Sequence, residues 1–126
     1  MYDKLLVCVT GAKNSAEVAR IGLSVAGRNA QVIFLHVVPK LDDETRALAD
    51  KELSHIKHIL MERPPVRPEF VTLEGEPKNK IMELAKKNQV AAIVVGETKL
   101  AHGESVSDYL LHNAECAVIS VKSREA

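Results

Sequence analysis

The chain has 126 residues, 46% of them hydrophobic and 27% charged, which suits one soluble globular domain with a core of ordinary size. Lys plus Arg and Asp plus Glu both number 17, so the net charge is zero, and the basic excess expected of a protein that lives on phosphate backbones is missing. Aromatic residues make up 3%, and there is no tryptophan to stack on single-stranded bases; no apolar run approaches the roughly 20 residues that span a bilayer.

The elements follow in chain order. Lys4–Val9 reads as a buried strand. Thr10 to Ser15 is a turn, with Asn14 or Ser15 as the cap of a helix over Glu17–Arg28. That helix buries Ala19, Leu23 and Ala26, and Gly22 inside it costs about 1 kcal/mol against alanine, a cost that a close approach to the sheet would explain. Asn29 marks its end. Gln31–Val38 is the second strand, stopped by Pro39. Asp42 or Asp43 opens a long helix to about Glu62, with Ala49, Leu53, Ile56 and Leu60 on one stripe. Arg67–Glu74 is a weaker strand; Pro68 cannot donate to a ladder, so it belongs at a sheet edge. Gly75-Glu76-Pro77 turns into a helix with Ile81, Leu84 and Ala85 inward and Lys86-Lys87-Asn88 at its end. Ala91–Val95 is apolar without alternation, as suits a parallel strand covered on both faces, and Gly96 ends it. Ser105 or Ser107 caps a short helix carrying Val106, Leu110 and Leu111. Ala117–Val121 is the last strand.

Five strands alternating with four helices predict a five-stranded parallel α/β sheet with helices on both faces, in a single domain over residues 1–126. In such a sheet ligands bind where the winding reverses, beyond the C-terminal ends of the strands. With strand order 3-2-1-4-5 that point lies between strands 1 and 4, and the turns leaving it, Thr10-Gly11 and Gly96-Glu97, both contain glycine. A glycine turn aimed at a helix start offers free N–H groups and a positive dipole end to an anion.

Several stretches together resemble one family. VVGETK, then ESVSDYLLHNAECAVISV, is similar to the C-terminal signature of the universal stress proteins; VCVTGAKNS, IFLHVV and Gly75-Glu76-Pro77 resemble its earlier motifs. The resemblance covers nearly the whole chain. It implies the order 3-2-1-4-5 of the adenine nucleotide alpha-hydrolase-like, Rossmann-like fold and a cytoplasmic stress-response protein. It also implies ATP or AMP in the crevice, Mg²⁺ only together with nucleotide, and a homodimer paired through residues 117–121. By position, the nucleotide-binding candidates are Thr10, Gly11, Val37, Gly96, Glu97, Lys99, Gly103, Ser105, Val106 and Ser107.

The chain departs from that pattern in the crevice. Thr10 stands where the family has an acid, Lys99 where it has a second glycine, and Glu104 where it has the glycine before the serine; the intervening loop is shorter. Glu97 and Glu104 compete with a phosphate for the helix start, and Lys13, Lys99 and His102 oppose them. Two readings without a standard ATP site therefore stand beside nucleotide binding: a nucleotide-free dimeric interaction or regulatory protein, and a slow ATPase with Glu97 as substitute acid. Unidentified protein partners fit the first; nucleic acid and membrane insertion are not expected. No catalytic or metal residue is assigned. His55 and His58 read as solvated, His36 as a packed, hydrogen-bonded histidine, and Cys8 and Cys116 as small buried thiols of a reducing compartment. Ser105 and Ser107 read as caps rather than nucleophiles, because no strand–turn serine elbow surrounds them.

Overall fold

Leu5, Leu6 and Val7 expose no surface, because their strand is paired on both edges and covered on both faces. The structure, a computed structural model, describes residues 1–9, 15–61, 65–97 and 105–122. Within them the chain runs β1 (Tyr2–Cys8), α1 (Ser15–Val25), β2 (Ala26–Val38), α2 (Asp43–Leu60), β3 (Arg67–Glu74), α3 (Pro77–Asn88), β4 (Ala92–Gly96), α4 (Val106–Asn113) and β5 (Ala117–Val121). All strand pairs are parallel, in the order β3-β2-β1-β4-β5. This is the order expected, with β3 and its Pro68 at an edge. One register line runs Phe70–Phe34–Val7–Val94–Ile119 across all five strands.

Alternation along the strands divides the core in two. Leu5, Val7, Val32, Phe34 and Val94 face Val18, Ala19 and Leu23 of α1 and Leu53, Ile56 and Ile59 of α2. Leu6, Cys8, Ile33, Leu35, Ile93 and Val95 face Ile81 and Ala85 of α3 and Leu110 of α4. The helices therefore cover both faces, two on each. On the first face Phe34 and Phe70 stack with centroids 5.4 Å apart, and the Lys57 ammonium lies 5.1 Å from the Phe70 ring, so the edge strand gains an aromatic anchor that its proline-containing backbone lacks.

The first helix and second strand differ from the sequence expectation. The helix ends at Val25, not Arg28, and β2 begins at Ala26, not Gln31. Ala26 pairs with Tyr2, after which the register shifts. Asn29 does break regular structure, but as a positive-φ residue (63°) inside an irregular strand start rather than as a helix end. Its N–H bonds the Pro65 carbonyl and its own carbonyl accepts from Arg67 Nε at 3.1 Å, which fixes the kink to the chain leading into β3. Smaller shifts occur elsewhere. The α2 stripe closes on Ile59 while Leu60 is half-buried. Asp42, not Asp43, caps α2, accepting from Thr45 N–H while Thr45 Oγ accepts from Asp42 N–H. β4 is offset by one residue, so Gly96 closes the strand instead of following it. Cys116 is half-buried rather than buried.

Gly22 does sit against the sheet. A Cβ built there would lie 2.7 Å from Val7 Cγ2, and Val7 is a stiff, fully buried side chain that cannot swing aside. Gly22→Ala is expected to destabilise by about 1–3 kcal/mol, as overpacking does, even though alanine is the better helix former. Urea unfolding of the two proteins checks this; a more stable variant would mean that α1 does not approach β1 this closely.

Candidate functional site

Three parallel strands end, and one helix begins, at the crevice beyond β1. Val37 is the penultimate residue of β2, half-buried and paired with Leu73. The β2 end is held in place by Gly75 N–H bonding the Val38 carbonyl at 2.9 Å and by Leu41 N–H bonding Glu74 Oε1 at 2.7 Å. Gly96 is the last residue of β4, buried and paired with Val121. Val37 and Gly96 thus flank the end of β1 from opposite sides. Ser105, Val106 and Ser107 start α4 at the same edge of the sheet. Thr10, Gly11, Lys99 and Gly103 lie outside the described residues, as do Asn14 and Glu104.

The start of α4 is the best-defined part of the site. Ser105 is the N-cap; its Oγ accepts from Asp108 N–H at 3.1 Å, and its carbonyl accepts from Tyr109 N–H at 3.0 Å. Ser105 and Ser107 are buried and their Oγ atoms are 3.2 Å apart. An α-helix leaves its first N–H groups without intrahelical partners. Here the cap uses that of Asp108, and among the described residues those of Val106 and Ser107 remain for an external acceptor. Of the two expected caps, Ser105 is the one that caps, while Ser107 lies in the first turn with its Oγ against that of Ser105.

Glu97 behaves differently from the expectation that its turn supplies open backbone. Its N–H bonds the Val121 carbonyl at 2.7 Å, extending the β4–β5 ladder, so that donor is spent on the sheet. One cation was missed in the sequence: Lys78, in the first turn of α3, lies 5.4 Å from the ring of Tyr109 in α4. It brings positive charge beside the first turn of α4. Its position directly after the Gly75-Glu76-Pro77 turn was the available signal, but only the packing of α3 beside α4 shows what it reaches.

His36 is packed as expected, at 6% exposure, but its Nδ1 has no hydrogen-bond partner among the described residues. It pairs with Thr72 of β3 and points to the α1–α2 face. Burial lowers its pKa below the ordinary 6.5, and Glu52 on α2 partly opposes that. Cys8 is inert, with burial raising its thiol to about 12. His55 and His58 are exposed on α2. Among the described residues no three His, Cys, Asp or Glu side chains cluster as metal ligands, and no helix is long and apolar enough to cross a membrane.

The profile of the universal stress protein family matches residues 1–122. A universal stress protein of Methanothermobacter thermautotrophicus is 28% identical over 142 residues, covering 98% of this chain and 97% of its own. The solved universal stress protein of Archaeoglobus fulgidus in complex with dAMP is 25% identical, with a TM-score of 0.77 over 96% of this chain and 98% of that one. A solved hypothetical protein whose biochemical function was assigned from its structure is 19% identical and superposes with a TM-score of 0.84 over 100% and 99% of the two chains, which speaks to the fold alone.

The His36 environment has a definite pH consequence. The folded pKa lies below the unfolded one, so the unfolded chain takes up the proton first as pH falls. Stability from this group is complete above about pH 6.5 and declines as pH drops through that value toward the folded pKa. Chemical unfolding at pH 7.5 and 5.5 should show this loss, and His36→Leu should reduce it. An unchanged pH difference in the variant would mean that His36 titrates freely.

Proposed function

The chain belongs to the universal stress protein family, and we propose that it is a cytosolic stress-response module that binds an adenine nucleotide between the C-terminal ends of β1 and β4, with no robust catalysis of its own. The observation that carries this reading is the capped start of α4: two unclaimed N–H groups and a positive helix end at the point where the strand order reverses. The likeness to a relative solved with dAMP supports the same ligand class. Val37 backbone would meet the base; Gly96 and Ser105–Ser107 would border the sugar and phosphate.

The chemistry favours a monophosphate such as AMP over ATP. The Glu97 N–H is already bonded within the sheet, and Lys99 and Glu104 replace two glycines of the family pattern, so fewer backbone donors remain for a long phosphate chain. Thr10 stands where the family has an acid facing the nucleotide, and the loss of that acid weighs against ATP hydrolysis; Mg²⁺ would enter only with a nucleotide. Lys78 brings a positive charge against Tyr109 of α4.

A nucleotide-free interaction role has its own supporting observation. β5 is an edge strand of apolar sequence; Ala117 is exposed, and Val118 and Ile119 are half-buried. An uncovered apolar edge invites pairing with another chain, and a homodimer through residues 117–121 would close it. Sedimentation at micromolar concentration should give twice the monomer mass; a monomer would sink the dimer.

Thermal shift with AMP, ATP and cyclic dinucleotides, with and without Mg²⁺, tests the nucleotide reading. A ligand at about 100 times its Kd adds ~2.7 kcal/mol, several degrees for a domain this size. The shift should saturate, disappear in Gly96→Val, and weaken several-fold in the surface variant Lys78→Glu. No shift at millimolar nucleotide would reject the site and leave the interaction role.

A further inference from the structure

α3 and α4 both start at the crevice edge of the sheet and finish at the opposite one. There an open cleft of about 410 Å³ lies between the end of α3 and the turn that leads from α4 into β5. That volume falls within the ~300–1,000 Å³ of small-molecule sites. α3 supplies Met82, Ala85 and Lys86 to the lining, Val90 follows from the start of the next segment, and the turn supplies Glu115 and Cys116.

The lining holds one cation and one anion, so its side chains carry no net charge. The two come from different elements, Lys86 from α3 and Glu115 from the turn. Both are exposed, no ion pair joins them, and neither side chain has another partner among the described residues. The end of α3 does not tip the balance. Its Ala85 and Lys86 carbonyls accept from Val90 N–H and Gln89 N–H, both at 3.2 Å, and Lys87, in the same last turn, is not part of the lining. A ligand of one charge would pair with one of these side chains and meet its own sign in the other. A ligand carrying both charges satisfies both, and Met82, Ala85 and Val90 offer an apolar surface beside them.

We propose that this cleft binds a zwitterionic α-amino acid with an apolar side chain, at a site separate from the nucleotide crevice. The ligand's carboxylate pairs with the Lys86 ammonium and its ammonium with the Glu115 carboxylate. Its side chain lies along Met82, Ala85 and Val90.

Cys116 lines the cleft and reports on its occupancy. The other cysteine, Cys8, is sealed in the core at 3% exposure, so iodoacetamide, a neutral reagent, should modify Cys116 alone in the native protein. L-Norleucine is the probe and intact mass the readout. Hexanoate lacks its ammonium, n-pentylammonium lacks its carboxylate, and glycine lacks its chain. The expected result is saturable protection by norleucine and much weaker protection by each control. Lys86→Gln and Glu115→Gln should each raise the half-protecting concentration of norleucine about threefold, the size expected of an exposed charge contact. Lys86→Gln should also remove the preference over n-pentylammonium, and Glu115→Gln the preference over hexanoate. Absence of saturable protection, protection by any control equal to that by norleucine, or an unchanged norleucine titration in either variant would each overturn the proposal.

Discussion

The constraint on which the rest of this molecule depends is the complete enclosure of β1. Its residues Leu5, Leu6 and Val7 are at zero exposure, reached only when β2 and β4 occupy both edges and helices cover both faces. Burying such a side chain fully is worth about 1.5–3 kcal/mol, and β1 concentrates several in one short segment. The same enclosure explains Gly22: α1 must lie close enough over Val7 to exclude water, and a side chain at that position would hold it off.

Enclosing β1 also positions the crevice. Because β2 lies on one side and β4 on the other, the chain reverses its winding at β1. α4 then starts at this edge because β4 and β5 are adjacent and parallel, which requires a crossover that begins where β4 ends. The capped serine at its start is thus a consequence of topology as much as of local sequence. The opposite edge collects helix C-termini for the same reason, so the helix dipoles present opposite ends at the two edges of one sheet.

The architecture was legible in the sequence where single residues forbid alternatives. Pro68 cannot lie in a central strand, and the unbroken apolar runs at Leu5–Val9 and Ala91–Val95 suit strands covered on both faces; the order 3-2-1-4-5 follows only when the family resemblance is added. The α1–β2 boundary was not legible, because Ala26 to Ala30 has no periodicity that separates a fraying helix from a kinked strand. Only the pairing of Ala26 with Tyr2 and the bond from Asn29 to Pro65 decide it. In the crevice, Ser105 was readable as a cap from residue type and position. The capture of the Glu97 N–H by Val121, the placement of Lys78 on Tyr109 and the unpartnered Nδ1 of His36 each depend on a partner distant in sequence. Thr10, Gly11, Lys99 and Gly103 rest on sequence alone.

The parallel order β2-β1-β4 has a consequence for synthesis. β1 is made first, yet one of its two neighbours, Ala92–Gly96, is among the last elements to be made. At the ~5–20 residues per second of translation, the apolar β1 waits several seconds with one edge open, and non-local parallel pairing is slow to form in any case. The enclosure of β1 therefore cannot be completed until the C-terminal third emerges. The close seat of α1 on Val7 is the contact available to shield that half-built core in the interval.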